Sequence, residues 1–226
     1  MDQKKYLKIV SHLESCLERY GDTHLGVDWK RKEDAEARYR AMLEVIKPDT
    51  FGKISLLDFG CGASHLYEHI LQHQLHQAEH SPYSIKYSGL DLGAKYISLS
   101  REKFPSNDYY HLDILEHQDD LPEFDYIVMN GVFTAKYDSG LSFEEMLEYF
   151  QAVIERVFAK ARVGIAFNVM SKQVDWERDD LFHLPFDVLA SFLVRNLSRH
   201  FVFRHDYALY EYTTYVYNQI AKFPSN

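Results

Sequence analysis

The stretch Leu56-Leu57-Asp58-Phe59-Gly60-Cys61-Gly62-Ala63-Ser64 decides how the rest of the chain is read. It completes an apolar run that begins at Ile54, puts an acid at the end of that run, and follows it with two glycines one residue apart and then an amphipathic segment. That order predicts a strand, a tight turn and a helix. Gly60 and Gly62 let the backbone turn sharply and come close to a bound group, while the helix start offers unpaired N–H groups and the positive end of its dipole. A dinucleotide loop of the form G-x-G-x-x-G would carry its third glycine at position 65, where this chain has His65. Asp58 would also sit badly beside a pyrophosphate. It suits a ligand that carries a cationic group.

Outward from this stretch, short apolar runs alternate with amphipathic ones. Residues 54–58, 83–91, 108–114, 124–130 and 162–170 read as strands, and 64–78, 93–103 and 143–160 as helices. Ser142 and Glu145 form a capping box ahead of the last of these. Strands joined by such helices predict right-handed crossovers and a parallel sheet covered on both faces. After a helix near 185–197, the runs 201–206 and 211–217 lie only four residues apart, which permits only an antiparallel hairpin. The expected fold is α/β, a Rossmann-like and mostly parallel sheet of seven strands with an antiparallel terminal strand and helices on both faces. Residues 1–50 read as a helical N-terminal extension, broken at YGDTHLGVDW (20–29), and residues 51–226 as the domain that carries the site.

The 226 residues include 34 acids against 25 Lys and Arg, a net charge of -9, so nucleic-acid phosphates would meet an adverse field. No basic stripe offsets it. No run approaches 18 apolar residues, MDQKKYLKIV lacks the apolar core of a secretory signal, and the only cysteines are Cys16 and Cys61. A cytoplasmic chain with free thiols, no membrane partner and no nucleic-acid partner is expected.

Acids recur at three consecutive strand ends, Asp58, Asp91 in SGLDLG and Asp113 in HLDI. With D-F-G-C-G ahead of them, the chain resembles the class I S-adenosylmethionine (SAM) dependent methyltransferases, in particular bacterial-type members with a helical N-terminal segment. The resemblance covers roughly residues 50–217 and implies SAM as cofactor and S-adenosylhomocysteine (SAH) as product. It implies that Asp58 and the Gly60, Cys61, Gly62 backbone hold the methionine part, and that Asp91, with Leu92 after it, takes the ribose hydroxyls. It further implies that Asp113 and the Ile114 N–H reach the adenine. Ser64 stands where the family often has another glycine, and the 29 residues from Gly62 to Asp91 exceed the roughly 20 expected. Extensions like residues 1–50 often close over SAM as a lid in that family, which would let Arg38 meet the methionine carboxylate and Trp29 exclude water. Two rival readings stay open, a nicotinamide-dependent oxidoreductase and a SAM-binding protein without catalysis.

Asn130 and Gly131, at the end of the fourth strand, are expected to face the transferring methyl group. NGVF there lacks the Pro-Pro of DNA amino-methyltransferases, so the expected acceptor is a small molecule offering oxygen or nitrogen. The segment 171–184, with Trp176, Phe182 and His183, and the start of the last strand should border the acceptor. His205 beside Asp206 is the candidate general base. His65, His69, His73, His76 and His80 share one helical face, but with no third-ligand loop they read as a solvated face, and no metal is expected.

Overall fold

The computed structural model describes residues 4–77 and 82–218. Two helices open the chain, α1 (Leu7–Tyr20) and α2 (Lys32–Leu43), followed by β1 (Gly52–Phe59), α3 (His65–Gln77), β2 (Tyr83–Leu90), α4 (Ala94–Lys103) and β3 (Asp108–Tyr110). Then come β4 (Phe124–Met129), α5 (Phe143–Phe158), β5 (Ala161–Ser171), β6 (His183–Leu184), α6 (Phe186–Asn196), β7 (Phe201–Arg204) and β8 (Glu211–Tyr217). One sheet runs β3-β2-β1-β4-β5-β8-β7, with β6 attached to β5. The pairs among β1 to β5 are parallel, and β8 is antiparallel to both β5 and β7. The mostly parallel α/β architecture is therefore as expected, and β8 alone runs against the rest.

Alternation along the central strands explains the two covered faces. Leu57, Ile127, Ile165 and Phe167 pack with α5 and α6 on one side, while Leu56, Val128 and Ala166 pack with α2 and α3 on the other. Helix α5 shows why its sequence was easy to read. Met146, Phe150, Val153, Ile154 and Val157 form one buried stripe, and the Ser142 and Glu145 capping box closes its N-terminus.

Three expectations need correction. The third strand is short: only Asp108–Tyr110 pairs with β2, and Asp113 lies beyond it in a turn where its Oδ1 accepts the Leu115 N–H at 3.0 Å. The segment after the fifth strand returns to the sheet as β6, giving eight strands rather than seven among the described residues. The histidine face is not uniformly solvated. His69 is buried against Tyr39, and His65 meets Asp22 at 2.7 Å; His80 and the side chains of His73 and His76 lie outside the described residues. The N-terminal helices also merge with the cores of the sheet, Tyr39 and Met42 on one face and Tyr6 on the other. No described helix is long and apolar enough to cross a membrane.

Candidate active site

The central position of β1, between β2 and β4, brings its C-terminal end to the middle of the sheet rim. The loop that follows is pinned there, because the Gly60 and Cys61 N–H groups both donate to the Leu90 carbonyl at the end of β2. Gly60 has φ +77°, and a Cβ on it would fall 2.6 Å from a Val132 methyl. Only glycine fits. Ser64 takes a left-handed φ of 58° and donates to Ser100 Oγ at 2.8 Å. This serine ties the start of α3 to α4.

Asp58 and Asp91 line one cavity, with the 60–62 loop, Leu92, Asn130 and Gly131. Asp58 is buried and accepts a hydrogen bond from the Tyr87 hydroxyl at 2.9 Å. Burial pushes its carboxyl up to about 7, against the pull of the Tyr87 hydrogen bond and with help from the charge on Asp91. Asp91 accepts from the Gly62 N–H at 2.9 Å and the Gly93 N–H at 2.7 Å, yet burial still raises its carboxyl above the usual range. Two carboxylates, one short of compensating donors, favour a ligand that brings cationic and hydroxyl groups. Cys61 is buried and its thiol is pushed far up by burial, so it packs rather than reacts.

Asp113 and Ile114 are outside that lining. The Tyr6 hydroxyl donates to Asp113 Oδ2 at 2.6 Å, while the Tyr6 ring stacks on Tyr149 at 4.7 Å. Tyr6, Ile9, Val10 and Leu13 carry α1 across the cavity as a wall. A second cavity adjoins the first, and the two share Asp28, Trp29, Thr134 and Tyr137. Its far side is made by Met170, Trp176, His183 and Tyr210.

Between the cavities runs a closed ring of contacts. Asn168 Oδ1 accepts the Gly131 N–H at 2.7 Å, and its Nδ2 donates to Glu211 Oε1 at 2.7 Å and, at 3.5 Å, to Asn130 Oδ1. Arg38 donates to Glu211 from Nε and Nη2 at 2.7 to 2.9 Å and stacks on Trp29 at 4.2 Å. Trp29 in turn covers Gly131, where a Cβ would sit 2.5 Å from its ring. The guanidinium is thus committed to Glu211 and borders the second cavity, which corrects its expected place beside the methionine carboxylate.

His205 is also not where the reading put it. It is exposed past the end of β7, against Phe186 and Tyr212, and borders neither cavity; Asp206 pairs with Arg204 instead. The histidine that does border the second cavity, His183, uses both nitrogens. Nδ1 donates to the Ser171 carbonyl at 2.6 Å, and Nε2 accepts the Arg178 N–H at 3.2 Å. Asn168 was missed altogether, although one amide inside the apolar run RVGIAFNVM was a usable signal, since a polar group buried in a central strand needs dedicated partners.

Residues 57–163 match the methyltransferase domain family. That stretch is a methyltransferase domain, and the chain around it has the fold of class I SAM-dependent methyltransferases. The nicotinamide reading is set aside with it. Rv1506c, a Mycobacterium tuberculosis protein named as a methyltransferase, is 25% identical over 164 residues, which are 72% of this chain and 92% of that one. The fold is shared with magnesium protoporphyrin IX methyltransferase of Synechocystis PCC 6803 crystallised with SAH, at a TM-score of 0.64 and 12% identity over 96% of this chain and 100% of the other. A SAM-dependent methyltransferase of Leishmania major superposes with a TM-score of 0.60 at 13% identity, covering 95% and 83% of the two chains.

The cofactor of this methyltransferase is SAM, and the raised Asp58 carboxyl sets an expected pH response. Burial favours the protonated Asp58 below about pH 7, and if Asp58 meets the cationic amino group of SAH, the bound ligand favours the ionised form. SAH binding should therefore weaken as pH falls through about 7, by up to about tenfold per unit. Calorimetric titration checks this, with Asp58→Asn expected to flatten the profile. The same raised pKa makes the ligand-free fold lose stability as pH rises from the usual carboxylate range towards 7.

Proposed function

We propose that this methyltransferase methylates an oxygen or nitrogen of a small-molecule acceptor held in the second cavity. The observation that carries the reading is the shared wall. Asp28, Trp29, Thr134 and Tyr137 border both cavities, so a molecule in the second lies a single layer of side chains away from a group in the first. The Synechocystis relative in fold is named for a porphyrin substrate, which supports a small-molecule acceptor. The net charge of -9 argues against nucleic acid, and two buried free thiols fit a cytoplasmic setting.

SAM supplies an activated methyl group, so the protein's part is chiefly to bind, align and keep water out. In this reading Asp58 and the Gly60, Cys61, Gly62 backbone hold the methionine part, Asp91 and Leu92 the ribose, and Asp113 and Ile114 the adenine end. Asn130 and Gly131 face the methyl group, with Asn168 holding the Gly131 N–H and the Asn130 side chain. Residues 1–50 act as a lid on the 51–226 domain, α1 walling the cofactor cavity and Trp29 closing the seam between the cavities. Arg38 positions Trp29. No side chain is assigned as general base, because His205 stands outside both cavities and His183 has no free nitrogen.

Labelled SAM offered with fractionated metabolite pools, and separately with total RNA and protein, tests the assignment. Label should move into compounds below roughly 1 kDa, the size range a drug-like cavity encloses. Transfer to RNA or protein alone would overturn it.

A further inference from the structure

A second cluster of chemistry-bearing side chains includes Asp28 of the shared wall and is separate from the residues proposed to hold SAM. His12 and Cys16 stand four apart on α1, so both point to one side of the helix, and Asp28 from the following loop faces them. His12 Nε2 lies 3.7 Å from Cys16 Sγ and 3.7 Å from Asp28 Oδ2, and one donor atom from each of the three residues falls within 4.8 Å of the others. We propose that His12, Cys16 and Asp28 form a site for a divalent transition metal of the zinc class, which clips α1 to the loop before α2.

Three features support the assignment. Donor separations come first: zinc bound at about 2.0 to 2.3 Å to nitrogen, oxygen and sulfur in a tetrahedron spaces its ligand atoms about 3.3 to 3.8 Å apart. Two of the observed pairs are already at that spacing. The donor set is also the borderline-soft mixture that suits zinc rather than magnesium or calcium. A neutral imidazole, a thiolate and a carboxylate carry two negative charges, matching a divalent ion, and the Cys16 thiol proton leaves to solvent as the sulfur–metal bond forms.

The third feature is the support around the ligands. The Tyr137 ring stacks on His12 with centroids 4.1 Å apart, and its hydroxyl hydrogen-bonds Asp28. Outer contacts of this kind orient metal ligands. Both Asp28 and Tyr137 hold left-handed backbone conformations, with φ of 58° and 49°. Such strain in non-glycine residues persists only where the surroundings enforce it. Asp28 and Tyr137 also line both cavities, so the clip would fasten α1 at the seam between them.

Cobalt(II) added anaerobically to metal-free, full-length protein is the direct probe. One equivalent should bind, with the thiolate-to-cobalt charge-transfer band and the visible absorption of tetrahedral cobalt, and zinc should displace it. Cys16→Ser should abolish the charge-transfer band, and His12→Gln should weaken zinc binding by at least about 100-fold. The histidines of α3 are the obvious competitor, so His65→Gln should leave the spectrum unchanged. Absence of a thiolate band in the wild-type protein overturns the proposal, as does a Cys16→Ser protein that binds zinc as tightly as wild type. SAH titration of each metal-free variant reports whether it is folded and separates failure of the clip from failure of the methyl-transfer reading. Should Cys16→Ser not fold, His12→Gln decides alone.

Discussion

Glu211→Ala should cost about 3 to 5 kcal/mol of folding stability, the loss expected when one partner of a buried ion pair is removed. Glu211 is 1% exposed and Arg38 12%, so the abandoned guanidinium recovers only the part of its hydration that the second cavity admits. Asn168 Nδ2 loses an acceptor in the same step. Against a typical total of roughly 5 to 15 kcal/mol, the variant should unfold at markedly lower urea concentration. Glu211→Gln keeps an acceptor and the shape, and its loss should be smaller. Pairing Glu211→Leu with Arg38→Met should recover much of the stability, because a buried ion pair repays little more than its own desolvation. A loss under about 1 kcal/mol for Glu211→Ala would mean that β8 and α2 are held together by something else.

The second large effect is on the cofactor. In the proposed placement Asp91 takes both ribose hydroxyls, and charge-assisted hydrogen bonds are each worth about 1.5 to 3 kcal/mol, so Asp91→Ala should weaken SAH binding by at least about 100-fold. The side chain has a further task. By accepting from Gly62 and Gly93 it fixes the glycine loop and the start of α4, so its removal loosens the cradle as well as deleting a contact. Asp91→Asn retains one acceptor and should fall between. Calorimetry gives the affinities, and circular dichroism confirms that the sheet survives. Unchanged affinity in Asp91→Ala would remove this residue from the cofactor site.

The positions of Asp58, Gly60, Gly62 and Asp91 could be read in advance because their cues are local, an acid or glycine at the end of an apolar run. Register then does the rest: Asp58 pairs with Gly89 across β1 and β2, which places the two rim acids side by side. The ring through Asn168, Glu211, Arg38 and Trp29 was not legible as a ring. Its members come from three distant stretches, 29–38, 168 and 211, and nothing in a linear pattern says that an arginine of α2 will meet a glutamate of β8. His205 failed for a related reason. The turn between β7 and β8 was taken to face the rim as a whole, but only Tyr210 and Glu211, nearest to β5, reach the second cavity. Residues nearer β7 belong to the edge of the sheet. The same blindness to distance hid His12 and Cys16, whose partner Asp28 arrives only after the chain has reversed through Gly21.

The position of β8 bears on how the molecule assembles. It is the latest strand along the chain, yet it inserts between β5 and β7 and delivers Glu211 to an arginine 173 residues earlier. Contacts of such sequence separation are the slow ones, because a long loop must close before any of their energy is gained. Until β8 docks, β5 has an open edge, Arg38 has no counter-charge and the seam between the cavities is unmade. A ligand that needs that seam therefore recognises only chains that have completed the last and most distant pairing, so appearance of acceptor binding during refolding should lag behind the helical signal and coincide with burial of the final strand.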